Sequence, residues 1–127
     1  MMKIPKTELA YIAGLFDGEG CIRWSDTPRI SLTSCWPHHL MWISTLFGYG
    51  SVRIVRLKDG KNRTTFRLEM SGKNAIRFLW KVRPFLMEKR HQADILIELV
   101  KYPKGSAKRD RLMNRLTSHK RIDYGPE

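Results

Sequence analysis

The chain has little cysteine, no long apolar run and few acids. Two cysteines, Cys21 and Cys35, in 127 residues are too few for a disulfide scaffold or a four-cysteine zinc site, and His38, His39, His91 and His119 show no ligand spacing with them. No apolar run approaches the ~20 residues of a membrane span, and the N-terminus lacks the apolar core of a signal peptide. An intracellular, soluble protein with no membrane partner is therefore expected, in an organelle or in a prokaryotic cytoplasm. Acids are outnumbered: 12 Asp and Glu stand against 24 Lys and Arg, for a formal net charge of +12. Such a field attracts polyanions, and nucleic acid leads among them. The length allows one domain with a real core but not two. Residues 1–118 are expected to form it, followed by a polar tail at 119–127.

The chain is organised around Ile12-Ala13-Gly14-Leu15-Phe16-Asp17-Gly18-Glu19-Gly20. Leu9, Ile12, Ala13 and Phe16 follow the spacing of a helix with one buried stripe, and Thr7 stands where an N-cap would. The pattern stops at Asp17, where glycines bracketing an acid predict a C-terminal turn through a left-handed residue. Asp17 and Glu19 then lie at the negative end of a helix, where an anion needs a compensating cation, such as a divalent metal. Ala10, Ala13 and Gly14 are small enough to let a neighbouring backbone approach closely.

Period-2 patterning follows. Residues 21–25 and 29–33 alternate around Asp26-Thr27-Pro28 and predict a hairpin that buries Ile22, Trp24, Ile30 and Leu32. Residues 37–47 read as a helix carrying Leu40, Ile43, Leu46 and Phe47 and stopped by Gly48. A second hairpin spans 51–57 and 64–70, burying Val52, Ile54, Phe66, Leu68 and Met70 around an Asp59-Gly60 turn, with parity failing near Val55 and Arg56 as a bulge would make it. Helical spacing returns with Ala75, Ile76, Leu79, Trp80 and Val82 up to Pro84, then over 87–102 with Ala93, Leu96, Ile97 and Val100, and in a short C-terminal helix with Leu112, Met113 and Leu116.

The nine-residue stretch resembles the LAGLIDADG motif, matching it at Ala13, Gly14, Leu15, Asp17 and Gly20, and the turn Phe47-Gly48-Tyr49-Gly50 and the segment from Pro84 to Gln92 also have family counterparts. The chain resembles a single-motif LAGLIDADG homing endonuclease. That resemblance implies an α+β fold of order αββαββα, a four-stranded antiparallel sheet with helices on one face. It also implies a homodimer, since no second motif copy is present, with Ala10, Ala13 and Gly14 at the interface. By the same resemblance Glu19, at the eighth motif position, and Gly18 hold Mg2+ or Mn2+, with Ca2+ supporting binding without cleavage. Asp17 and Gly20 shape the turn, and Lys89 falls where the family often has a lysine near the scissile phosphate. The family's polar residue after the second strand, frequently Gln, is missing here, leaving Ser34, His38 or water to position the nucleophile. The activity implied is site-specific cleavage of double-stranded DNA, leaving short 3′ overhangs, by an intron- or intein-borne enzyme. Alternatives are an RNA maturase acting on intron RNA, a non-catalytic nucleic-acid binder, or a generic RNA-binding protein.

A sheet that buries one face on helices offers the other to the major groove. The outward residues suit that contact: Arg23, Arg29, Arg53 and Arg67 for guanine edges or phosphates, Ser25, Ser31, Thr33 and Thr65 for either base type, and Lys58, Lys61 and Arg63 for the backbone. A seven-residue strand rises roughly 23 Å, close to seven base pairs at ~3.4 Å each, so two copies would span on the order of 15–20 base pairs.

Overall fold

Apolar residues spaced three and four apart along the first helix meet those at alternate positions of the strands, and this register of two periods builds the core. The computed structural model describes residues 3–57, 60 and 63–121, with backbone alone at 119–121. Its elements are α1 (Lys6–Glu19), β1 (Gly20–Ser25), β2 (Thr27–Ser34), α2 (Pro37–Phe47), β3 (Ser51–Arg56), β4 (Thr65–Ser71), α3 (Lys73–Val82), a 3-10 turn (Arg83–Phe85), α4 (Arg90–Leu99) and α5 (Ala107–Arg121). The strands form one antiparallel sheet in the order β1-β2-β4-β3. Helices α1 to α4 pack on one face of it, so the architecture is the expected α+β arrangement. No helix among the described residues is long and apolar enough to cross a membrane.

Strand parity sorts the residues as alternation dictates. Ile22, Ile30, Leu32 and Leu68 are sealed from solvent against the helices, each burial stabilising by roughly 1.5–3 kcal/mol. Behind the sheet the rings of Phe16, Phe78 and Phe47 join three helices, with centroids 5.3 Å and 5.0 Å apart. Gly48 stops α2 in the left-handed conformation, φ 81°, as its position after the apolar stripe requires. The β3–β4 ladder slips between Ile54 and Arg56, which is the expected bulge.

Several expectations are corrected. Thr7 is not the N-cap: the cap is Pro5, two residues earlier, whose carbonyl accepts from Leu9 N–H. No left-handed turn ends α1, because Gly18 is helical and Gly20 is extended (φ −84°). What Gly20 supplies is room, since a Cβ there would collide with the Phe16 ring and lie 2.6 Å from the Phe16 carbonyl oxygen. The first hairpin turns through Asp26 alone, at φ 63°, and Thr27 and Pro28 already belong to β2. Ile54 is 53% exposed and Trp80 54% exposed, because β3 is an edge strand and Trp80 lies at the rim of the α3 stripe. Residues 87–102 are not one helix: Met87 is exposed in a connection, and α4 starts at Arg90. The C-terminal helix is longer than expected and continues to Arg121, burying Leu112 and Leu116.

Candidate active site and nucleic-acid interface

The acidic end of α1 is held by a segment some seventy residues further along the chain. The Asp17 carboxylate accepts from Met87 N–H at 2.8 Å and from Lys89 N–H at 2.9 Å, while Lys89 Nζ donates to the Asp17 carbonyl at 2.6 Å. Lys89 is the N-cap residue of α4. The carboxylate thus lies at the positive end of one helix, and an ammonium offsets the negative end of the other. The cation needed beside Asp17 is therefore Lys89, joined to it by contact rather than merely by neighbourhood. That ammonium has three donors and gives one to the carbonyl.

Glu19 is exposed in the last turn of α1, where helix geometry leaves the final carbonyls, including that of Gly18, without intrahelical donors. It borders a cavity of about 450 Å³ lined also by Leu15, Thr33, Ser34, Cys35, His39 and Thr65. Thr33 and Thr65 belong to the outward face of the two central strands, so the cavity opens at one end of that face. Of the two side chains expected to position water, Ser34 lines this cavity and His38 does not. His39 occupies that place, as the rotation of about 100° between adjacent helical residues allows.

The outward face carries its charges in cross-strand rows. Arg23 pairs with Arg29, and Arg29 with Ser71. Ser31 lies between Cys21 and Glu69, and Ser51 lies on the other side of Glu69. Thr33 pairs with Arg67, and Arg67 with Arg53. Arg29 Nε donates to the Ser25 carbonyl at 3.3 Å, and Arg67 Nε reaches Thr33 Oγ1 at 3.5 Å. Arg63 is exposed just before β4, and its carbonyl accepts from Thr65 Oγ1 at 3.4 Å. Lys58 and Lys61 lie outside the described residues.

Arg56 escaped the sequence reading of this face, and Glu69, which alternation places on it beside Thr65 and Arg67, was given no role there. Past the bulge Arg56 pairs with Thr65 and brings its guanidinium to 3.5 Å from Thr65 Oγ1; the parity failure was the signal, but not its outcome. Glu69 accepts from Arg53 Nη2 at 2.6 Å and lies 3.8 Å from Arg67 Nη1. The hydrogen bond from Arg53, with the charges of Arg53, Arg67 and Arg23, holds its carboxyl below the ordinary range against the opposing effect of burial.

Along α1 the exposed positions from Thr7 to Gly18 are Thr7, Ala10, Tyr11, Gly14 and Gly18, none of them charged. Ala13 is corrected: it is sealed in the core of its own chain and offers nothing to a second one. Ala10 and Gly14 remain on the open stripe, beside Tyr11, whose ring meets Trp42 edge-on at 5.8 Å.

The LAGLIDADG-like domain family matches residues 6–83. No curated protein sequence matches the chain. Solved structures similar to it include the homing endonuclease I-CvuI in complex with its target in the presence of 2 mM Ca, at TM-score 0.71 and 18% identity over 96% of this chain and 87% of that one. They include the archaeal intron-encoded homing endonuclease I-Vdi141I complexed with DNA, at 0.68 and 18% over 96% and 88%. The LAGLIDADG meganuclease I-AabMI bound to uncleaved DNA is similar at 0.60 and 21%, over 94% of this chain but 46% of that one. At these identities the likeness is one of fold.

Proposed function

The chain belongs to the LAGLIDADG-like domain family, and from that premise we propose that it is a site-specific endonuclease of double-stranded DNA, working as a homodimer with a divalent metal. The observation that carries the reading is Glu19, a carboxylate at the open end of the motif helix, bordering a cavity that merges with an arginine-rich sheet face. A binder of nucleic acid gains nothing from an exposed acid there. A metal-dependent phosphodiesterase needs one to hold its ion.

The donor set suits a shared ion. Among the described residues no three His, Cys, Asp or Glu side chains converge on one point, so Glu19 and the Gly18 carbonyl would be one chain's share, with the remaining ligands coming from a second Glu19 and from phosphate. Hard oxygen donors of this kind suit Mg2+, Mn2+ or Ca2+. When bound, the metal supplies an acidified water and stabilises charge on the oxygens of the phosphate. The protein's own part is positional. Asp17 anchors the motif helix, Lys89 keeps donors free for a phosphate beside that anchor, and Ser34 and His39 can order a water in the cavity.

Two copies would meet along Ala10, Gly14 and Gly18, a stripe with no charge to desolvate. The match to less than half of the I-AabMI chain supports this, because two copies of the present fold make up the length of that one. The face holding Arg23, Arg29, Arg53, Arg56 and Arg67 would then follow the major groove on either side.

Duplexes selected from a random library by wild-type protein should be cleaved in Mg2+ and bound without cleavage in Ca2+. Glu19→Gln should bind them as tightly and lose at least about a thousandfold in rate, ~4 kcal/mol of barrier. Failure of the wild type to cleave any selected duplex, or full activity in the variant, would remove the proposal, and a monomer in sedimentation would remove its dimeric form.

A further inference from the structure

On a face built to meet phosphates, Glu69 is an acid amid arginines, and its surroundings give it more to do than neutralise them. Its flanking cross-strand neighbours are Ser31 and Ser51, two short hydroxyl side chains between which the Glu69 side chain keeps 19% of its surface open to solvent. Its Oε1 takes the 2.6 Å bond from Arg53 Nη2 and lies 3.8 Å from Arg67 Nη1, while its Oε2 accepts no hydrogen bond among the described residues. The side chain of Arg53 is 61% exposed, so one edge of its guanidinium is pinned and the rest of the fork is free to meet a ligand.

A carboxylate here weakens adhesion to any phosphate, since it repels the backbone and occupies a cation that would otherwise contribute close to one unit of salt slope. That loss is compensated where the ligand is a base edge. In the major groove a G·C pair shows two acceptors, guanine O6 and N7, beside one donor, the cytosine N4 amine. A pinned guanidinium presents donors for the former, and a carboxylate with an unoccupied oxygen accepts from the latter. An A·T pair shows no such sequence of groups, and a phosphate shows no donor at all.

We propose that Arg53 and Glu69 together read one G·C base pair in each half-site, with Glu69 as the specificity-determining residue that pins Arg53 and accepts from cytosine. The inference rests on the reading of this face as a DNA-binding surface. Binding of wild-type, Glu69→Gln and Arg53→Lys proteins to duplexes substituted one position at a time tests it, alongside each protein's melting temperature and salt slope. The wild type should discriminate G·C from the other three pairs at one symmetric position by about tenfold or more. Both variants should lose that discrimination there and keep it elsewhere, and Glu69→Gln should bind unrelated duplex as tightly as wild type or more so, with a steeper salt slope.

Selectivity by the wild type, together with an unchanged preference in both variants, would overturn this inference and leave the endonuclease reading standing. Loss of discrimination evenly at every position, with a lowered melting temperature, would reduce Glu69 to a structural counter-ion. A wild type that binds all duplexes alike would overturn the underlying reading as well. Arg53→Lys, at an exposed side chain, keeps the test open should Glu69→Gln fail to fold.

Discussion

Asp17 and Glu69 are both acids bonded to cationic residues, and the two regions they govern are built in opposite ways. Asp17 is held by the backbone N–H groups of Met87 and Lys89, 70 and 72 residues away, and its carbonyl by the Lys89 ammonium, so these bonds join α1 to the entrance of α4. Glu69 is held by the exposed side chain of Arg53 on the neighbouring strand β3, with Arg67 of its own strand 3.8 Å away, so its bonds set the direction of side chains and leave the backbone alone. An acid bonded to main chain determines where elements lie. One bonded to long side chains determines what they present.

The contrast breaks first at Asp17. Asp17→Ala removes the acceptor for two backbone donors at once and leaves Lys89 without the carboxylate that orients its loop, so the fold should lose about 2–3 kcal/mol and ~10 °C of melting temperature, with cleavage falling in parallel. Equal melting temperatures for variant and wild type would dissolve the distinction. Glu69→Gln should lower stability by less than about 1 kcal/mol, as partly exposed ion pairs do. The sign with pH follows from the lowered carboxyl of Glu69. Its contribution is complete above the ordinary carboxylate range near about 4.3 and is lost as pH falls through the depressed folded value. The acid limb of a stability-against-pH curve should therefore flatten slightly in the variant. Smallest of all is Ile54→Thr on the open side of the edge strand, expected within about 0.5 kcal/mol by chemical denaturation; a loss of 2 kcal/mol or more would mean that something covers β3.

The same contrast explains what could be read without coordinates. Periodicity located α1, α2 and the two hairpins because it records which side of an element is dry, and the bulge at Val55 appeared as a break in parity. Periodicity records a face, however, and not how far that face is covered. Ile54 and Trp80 lie on apolar stripes that run past the rim of the core, and both emerged exposed. Contacts across the chain were illegible for a different reason. Nothing local to Asp17 points to Met87 or Lys89, and nothing in adjacent His38 and His39 says which one faces the cavity, since the packing of α2 decides it. The family resemblance placed Lys89 near the chemistry. The structure shows that it is bonded to the motif helix itself.

Helix α1 passes into β1 at Gly20 with no connecting loop, and the Phe16 ring fills the space where a side chain at that position would stand. The joint is therefore stiff, and a rotation of the motif helix tilts the first strand with it. In the proposed dimer seated along α1 the pair of sheets would then act as a fixed calliper, whose jaw separation follows from how the two motif helices pack. A spacer of one base pair inserted between the half-sites would have no slack to absorb it, so the distance between half-sites would be enforced as strictly as the bases within them.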